Sequence, residues 1–200
     1  MSQTCSTRPL CQPGRFRFRH NRGWAAVLLA AVLLAHAPAA AGPDTDPAPA
    51  FTLKSLHGED RSLHDYRGRY LLLNFWATWC GPCKIEMPSL EALHRRFQTN
   101  NLTVLGISND PFGARVVTPF MAAYDLTFPV LLDPDQEISK RYGVHSLPTT
   151  FLIDPEGRIL GVLTGAEDWS KPETLAYFRD LLNGPSQSPA GPMKSTASAP

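Results

Sequence analysis

The stretch Asn74-Phe75-Trp76-Ala77-Thr78-Trp79-Cys80-Gly81-Pro82-Cys83-Lys84-Ile85-Glu86-Met87-Pro88 places two cysteines three residues apart, behind an apolar run. The run at 70–76 has strand length and is typical of a strand that is buried on both faces. After the cysteines, apolar residues recur at a spacing that puts them on one side of a helix: Ile85, Leu90, Leu93 and Phe97. The cysteine pair therefore lies at a predicted strand-to-helix junction.

Strand-like and helix-like patterns alternate along the rest of the chain. We predict two short strands around a turn at 51–56 and 61–63, and further strands at 102–108, 128–132, 149–154 and 158–164. We predict helices at 111–126, 136–142 and 171–182. The inner face of the helix at 111–126 is predicted to be Val116, Val117, Phe120 and Tyr124. This order predicts an α/β domain with a mixed central sheet that is flanked by helices, an N-terminal hairpin and a hairpin near the end.

The composition is that of an ordinary globular chain. Of 200 residues, 43% are hydrophobic and 18% are charged, and the formal net charge is +1. Such a balance gives no reason to expect a nucleic-acid partner.

The N-terminal region has the pattern of a targeting segment. Basic residues precede an uninterrupted apolar run at 24–35, and small residues follow it. We interpret residues 1–42 as a signal peptide, or as an uncleaved signal anchor in the membrane. The run is short of the roughly 20 residues that span a bilayer, which favours cleavage. Export to an oxidising compartment such as a bacterial periplasm is therefore expected.

The remaining segments divide by composition. Residues 43–50, rich in Pro, Ala and Asp, are predicted to be a flexible linker, and residues 184–200, rich in Ser, Pro and Ala, a disordered tail. One folded domain is expected at 51–183. Cys5 and Cys11 precede the apolar run, so Cys80 and Cys83 are the cysteines of the exported domain.

Three kinds of site use a close cysteine pair. A zinc site needs four ligands, usually two such pairs or one pair with histidines, and the chain has no second pair. A purely structural disulfide is a poor explanation, because so tight a loop restricts the unfolded chain very little. A Cys-x-x-Cys pair at a strand-to-helix junction of an α/β domain is instead typical of a catalytic dithiol.

The predicted helix favours the same chemistry. A helix that begins near Cys80 directs unpaired N–H groups and the positive end of its dipole toward the first sulfur, which lowers the pKa of that thiol. Cys80 is then the exposed nucleophile, and the more covered Cys83 resolves the mixed disulfide. Trp79 is expected to pack beside the thiol.

Residues 51–182 resemble the thioredoxin superfamily, specifically the TlpA/ResA-like thiol–disulfide oxidoreductases. The resemblance rests on Phe75-Trp76-Ala77-x-Trp79-Cys80-Gly81-Pro82-Cys83, on the continuation Lys84-x-Glu86-Met87-Pro88 and on the loop His145-Ser146-Leu147-Pro148-Thr149. It implies that segment 109–134 is the strand-and-helix insert of the TlpA branch. It also implies a cis Leu147–Pro148 bond that faces the cysteines, with Trp79, Leu147 and Pro148 as substrate-binding residues.

One position departs from the superfamily pattern. Many thioredoxins have a buried acid where this chain has Asn74, and that acid accepts a proton from the second cysteine. An amide cannot do so. Glu86 lies three residues past Cys83, on the same face of the predicted helix, and is the expected substitute. The alternative is a solvated helix glutamate without a catalytic role.

The expected function is that of an exported enzyme that reduces protein disulfides. The resemblance implies cysteine pairs awaiting haem attachment in cytochrome c maturation, or copper-site cysteines, as substrates, and a membrane thiol protein as electron donor. No cofactor or metal ion is expected. The Gly81-Pro82 spacer favours a reductant. The alternative is a copper-binding or metallochaperone module that uses Cys80, Cys83 and His145. A peroxidase is disfavoured, because the residues before Cys80 lack the Pro-x-x-x-Thr-x-x-Cys pattern.

Overall fold

A computed structural model of the chain describes residues 46–184. These residues contain one seven-stranded sheet. Its strands are β1 (Thr52–Ser55), β2 (Asp60–Ser62), β3 (Tyr70–Trp76), β4 (Leu102–Ser108), β5 (Val130–Leu132), β6 (Thr149–Ile153) and β7 (Ile159–Thr164). The helices are α1 (Gly81–Phe97), α2 (Ala114–Ala123), α3 (Glu137–Arg141) and α4 (Pro172–Asn183), and a short 3-10 helix spans Leu63–Tyr66. The predicted signal segment at 1–42 and the tail beyond Gly184 lie outside the described residues. None of the helices within 46–184 is long and apolar enough to cross a bilayer.

The strand order is β2-β1-β5-β4-β3-β6-β7. Strand β3 runs parallel to β4 and antiparallel to β6, so the predicted mixed sheet is confirmed. The β1–β2 hairpin is antiparallel. Between this hairpin and β4 lies β5, which is parallel to β4 and antiparallel to β1. Together with α2 it forms the strand-and-helix insert, which widens the sheet on the β4 side.

Strand β3 is buried along its whole length, because helices or other chain segments cover both faces of the sheet. Alternate side chains enter two separate cores. Leu71, Leu73 and Phe75 pack in one core with Tyr142 and Phe151. Leu72 and Trp76 pack in the other, which contains the apolar residues of α1, α2 and α4. The end of β3 is thereby held rigidly, and the cysteine pair follows it after three residues.

Two residues predicted to face inward do not. Ile85 is 78% exposed, because the buried stripe of α1 contains Cys83, Met87 and Leu90. At 100° per residue Ile85 lies about 200° around the helix from Met87. Tyr124 is 39% exposed, since it follows the last residue of α2 and stacks on Phe120 with ring centroids 4.4 Å apart. The buried residues of α2 are Val117 and Met121.

The described end of the predicted linker lies against the domain. Ala48 is buried, and its N–H donates a hydrogen bond of 2.9 Å to the carbonyl of Gly157. The Tyr142 hydroxyl donates one of 2.8 Å to the carbonyl of Pro49. Residues 46–50 therefore lie against the folded domain, because the turn before β7 and the residue after α3 supply partners that composition does not reveal.

Candidate active site

Cys80 and Cys83 lie at the start of α1, as predicted. Cys80 is the N-cap residue, and Pro82 occupies the first turn, where a helix needs no N–H donor. The two sulfurs form a disulfide of 2.08 Å. The backbone N–H of Cys83 donates a hydrogen bond of 3.2 Å to the Cys80 sulfur. The first sulfur thus occupies the place of a capping group, where the N–H groups of the helix stabilise negative charge.

Cys80 was expected to be an exposed nucleophile, but both cysteines are buried. In this disulfide form Cys80 is 5% exposed and Cys83 is fully buried. Their order of exposure agrees with Cys80 as the attacked or attacking sulfur. Trp79 is 61% exposed and lines the same cavity as Cys80.

The loop before β6 carries the predicted cis peptide bond, between Leu147 and Pro148. Pro148 is buried, and its carbonyl accepts a hydrogen bond of 2.9 Å from the N–H of Gly165. Leu147 is half-buried, and its N–H and C=O form no hydrogen bond within residues 46–184. An unpaired backbone at this point is what pairing with a substrate strand requires.

A cavity of about 480 Å³ opens beside the first cysteine. It is lined by Trp79, Cys80, Gly81, Pro82, Asn109, Gln136, Val144, His145, Ser146 and Leu147. The cis-proline loop, the cysteine turn and the insert therefore meet at one site. Within residues 46–184, no group of three or more His, Cys, Asp or Glu side chains converges to hold a metal ion.

Glu86 is buried on the inner face of α1, with 1% of its surface exposed. Its Oε1 accepts a hydrogen bond of 2.8 Å from Asn74 Nδ2. Its Oε2 accepts one of 3.2 Å from the backbone N–H of Glu167 and one of 3.3 Å from Trp169 Nε1. The alternative of a solvated surface glutamate is therefore wrong. Cys83, one turn earlier on the same helix, is also fully buried.

Asn74 holds this carboxylate in place. Its amide Nδ2 donates to Glu86 Oε1 and, over 2.9 Å, to Thr150 Oγ1, which uses both of its hydrogens. The buried Asn74 Oδ1 has no hydrogen-bond partner among the described residues. An unpaired buried acceptor is costly, and such groups in folded proteins are often associated with function.

Burial raises the pKa of Glu86 from 4.5 to about 7, because an ionised carboxylate loses its hydration in the core. The hydrogen bonds from Asn74, Glu167 and Trp169 favour the ionised form and oppose this effect without cancelling it. A carboxyl group with a pKa near neutrality can accept and return a proton at physiological pH. The position and the pKa of Glu86 both suit the proton acceptor that the sequence lacks at Asn74.

Other residues around the site gave no signal in the sequence. Asp110 is buried and accepts hydrogen bonds of 2.9 Å from the Thr78 N–H and 2.6 Å from the Thr78 hydroxyl. It thereby ties the insert to the turn that carries the cysteines. Thr150 joins the Glu86 network through Asn74, from which it is 76 residues distant in the sequence, and Trp169 is 83 residues from Glu86. Because these partners are remote along the chain, no spacing rule could have identified them.

The sequence and the fold are similar to those of known proteins. Residues 45–162 match the model of the AhpC/TSA family. The thiol–disulfide oxidoreductase ResA of Bacillus subtilis is 40% identical over 136 residues, which cover 68% of this chain and 72% of ResA. Among solved structures, StoA from Bacillus subtilis has a TM-score of 0.56 and 29% identity, covering 66% of this chain and 97% of StoA. A thioredoxin-family thiol:disulfide interchange protein from Chlorobium tepidum has a TM-score of 0.57 and 27% identity, with 65% and 94% covered.

Proposed function

Because the chain belongs to the AhpC/TSA family and is a thioredoxin-like thiol–disulfide oxidoreductase similar to ResA, we propose that it reduces disulfides in exported proteins. The observation that carries the proposal is the Cys80–Cys83 pair at the start of α1, with the protonatable Glu86 buried one turn further on the same face. The Gly81-Pro82 spacer is the arrangement of reducing thioredoxins.

The reaction begins with both cysteines reduced. The Cys80 thiolate attacks one sulfur of the substrate disulfide, forms a mixed disulfide and releases the first substrate sulfur as a thiolate. Glu86 accepts the proton of the Cys83 thiol. The Cys83 thiolate then attacks the Cys80 sulfur, forms the intramolecular disulfide and releases the second substrate sulfur. Two electrons pass to the substrate, and the protein ends in the disulfide form that the structure shows.

The substrates follow from the same proposal. Cysteine pairs of apocytochromes before haem attachment are the favoured class, with copper-site cysteines as the close alternative. Both classes carry their sulfur pair on a polypeptide, and the backbone of that polypeptide can pair with the unpaired N–H and C=O of Leu147. Pro148 positions that backbone, and Trp79 covers the bound chain beside Cys80.

The setting also belongs to the proposal. The segment 1–42 directs the chain out of the cytoplasm, either as a cleaved signal peptide or as a membrane anchor, and the domain works in the periplasm. A reductant in an oxidising compartment must be reduced again after each turnover. We therefore assign it a membrane-embedded thiol protein as electron donor.

The equilibrium reduction potential of the Cys80/Cys83 pair tests the direction of electron flow. We expect a value close to that of thioredoxin, about −270 mV. A value close to that of the strong oxidants, about −120 mV, would contradict the proposal and make the protein a disulfide donor. The measurement is an equilibration of the purified chain in glutathione or dithiothreitol redox buffers, with the reduced fraction read after alkylation.

A further inference from the structure

We propose that Gln136 and Asn109 bind the polypeptide of the disulfide substrate in the cavity beside Cys80, and that they select an uncharged segment. This inference rests on the proposed function, because it concerns the substrate of the same site. The two residues come from the ends of the segment between β4 and α3, which contains the insert, and both line the cavity together with Cys80 and Leu147.

The lining of the cavity sets the chemistry of its ligand. Apart from His145 and the cysteine, it contains only apolar residues, glycine, one hydroxyl and two primary amides. A volume of about 480 Å³ lies in the range of sites that hold a small ligand or a short peptide segment. A charged side chain that entered would lose hydration without meeting an opposite charge. Neutral, hydrogen-bonding segments therefore fit best.

Gln136 has a backbone that its residue type does not favour. Its φ of 57° and ψ of 28° lie in the left-handed region, which glycine and asparagine occupy more readily. Two backbone hydrogen bonds of 3.0 Å hold it there, from its own N–H to the Asp133 carbonyl and from the Lys140 N–H to its carbonyl. Such conformations cluster at binding and active sites, where the surrounding structure maintains them.

The side chain of Gln136 is available to a ligand. It makes no helix-capping hydrogen bond, and its amide has no partner among residues 46–184. It belongs to the lining of the cavity, in a position where a glycine would satisfy the backbone better. A primary amide offers both donors and an acceptor, which matches the two sides of a peptide group.

Asn109 supplies a second amide whose position is fixed. It is 3% exposed, and its N–H donates a hydrogen bond of 2.9 Å to the carbonyl of Trp76. One end of its side-chain amide contacts the Ser139 hydroxyl at 2.7 Å, and that hydroxyl lies 2.8 Å from Asp133 Oδ2. The other end has no partner within the described part of the chain. This open end is not among the buried unpaired atoms, so it keeps accessible surface, and Asn109 lines the cavity. It can therefore form a hydrogen bond with a ligand there.

The two amides and the Leu147 backbone thus present hydrogen-bonding groups around one sulfur. A substrate strand that pairs with Leu147 places the residues next to its cysteine in the cavity. Its peptide groups then meet Gln136 and Asn109. A small disulfide that occupies only the region of the sulfurs makes none of these contacts.

The substitution Gln136→Gly tests the proposal cleanly, because glycine keeps the left-handed backbone and removes only the side chain. Asn101→Gly is the matched control. Asn101 is exposed, has φ of 66° and follows α1 at its far end from the cysteines. Pre-reduced chain is mixed with an oxidised peptide containing Gly-Cys-Ala-Ala-Cys-His-Gly, and separately with hydroxyethyl disulfide, and the second-order rate constants are measured.

For Gln136→Gly we expect the rate constant with the peptide to fall about three- to tenfold, as for the loss of one or two neutral hydrogen bonds. The rate constant with hydroxyethyl disulfide and the reduction potential should stay unchanged, and Asn101→Gly should match wild type with both probes. For Gln136→Glu we expect a lower rate constant with the neutral peptide. Part of the loss should be recovered with a peptide in which lysine replaces the two glycines, because the new carboxylate then meets a positive charge.

An unchanged rate with the peptide, or an equal fall with both probes, would overturn the assignment of Gln136. Failure of the proposed function looks different. Wild-type chain would then leave the oxidised peptide intact and oxidise its dithiol form instead. The rate constants of Gln136→Gly and Asn101→Gly for oxidation of the dithiol peptide would then still decide whether Gln136 binds the peptide.

Discussion

The amide of Asn74 donates a hydrogen bond of 2.8 Å to the carboxylate of Glu86, although Asn74 lies on the central strand and Glu86 on α1. Both side chains are buried, with at most 1% of their surface exposed. The strand position that resembles the buried-acid position of many thioredoxins here carries the hydrogen-bond donor Asn74, and the acid Glu86 lies on the helix. An ionisable group is thereby kept in the core near the covered cysteine, at a different place in the sequence.

Burial of Glu86 makes stability depend on pH. Its pKa is about 7 in the folded chain and close to 4.5 when unfolded. Between these values the unfolded chain has lost the proton and the folded chain keeps it, so stability falls as pH rises from about 4.5 to about 7. The difference of about 2.5 pKa units corresponds to roughly 3 kcal/mol.

Glu86→Gln should remove this dependence. We expect the variant to gain about 3 kcal/mol relative to wild type when the pH is raised from about 4 to about 8. Urea unfolding of both oxidised chains across this range measures the difference. The exposed Glu173→Gln is the control and should follow wild type. A constant difference between Glu86→Gln and wild type would mean that Glu86 does not titrate in this range.

The same substitution should slow the second step of the reaction. Without Glu86 the proton of Cys83 must pass to solvent, and we expect a loss of about a hundredfold near neutral pH, the low end for a positioned acid–base group. The deficit should shrink at high pH, where hydroxide deprotonates the thiol. Rapid mixing of pre-reduced chain with an oxidised peptide, quenched with acid, separates the mixed disulfide from the final disulfide. Accumulation of the mixed disulfide in Glu86→Gln, but not in Glu173→Gln, is the expected sign.

Asn74→Asp restores an acid on the strand and should move the proton transfer to higher pH. Two buried carboxyl groups in contact share one proton, so the upper apparent pKa of the pair rises above that of Glu86 alone. The pH profile of peptide reduction measures this shift. Asn100→Asp makes the same chemical change on an exposed residue and should leave the profile unchanged. A profile that moves to lower pH would show that the strand acid, and not Glu86, had become the acceptor.

His145→Ala separates the oxidoreductase from the copper-binding alternative. His145 lines the cavity beside Cys80, and the proposed sulfur exchange assigns it no step. We expect the rate of peptide reduction to stay within about twofold of wild type, because the proton transfer and both sulfur exchanges use Cys80, Cys83 and Glu86. Titration of the reduced chain with Cu(I) is the second measurement. Tight binding that is lost in His145→Ala, together with slow exchange in wild type, would favour the metallochaperone.

Much of the fold could be predicted because the signals are local. The burial of β3 on both faces appears as a run of seven residues with strand length, and its predicted bounds agree with the structure. The turn Asp154-Pro155-Glu156-Gly157 marks the hairpin between β6 and β7. The prediction for Tyr124 failed because α2 ends earlier than its apolar pattern. Tyr124 lies just beyond α2 and therefore outside its buried face.

The resemblance to the TlpA/ResA-like family, rather than local spacing, implied that the proline loop faces the cysteines. The sequence by itself determined the cysteine pair and its place at the start of a helix, because each depends on neighbours within a few residues. It also placed Glu86 one turn from Cys83. Only the tertiary structure decided what surrounds that carboxylate. Asn74, Glu167 and Trp169 reach it from a strand and from a loop 81–83 residues later in the chain. The pKa of Glu86 depends on the removal of water by these packed elements, and burial of this kind arises only when distant parts of the chain come together.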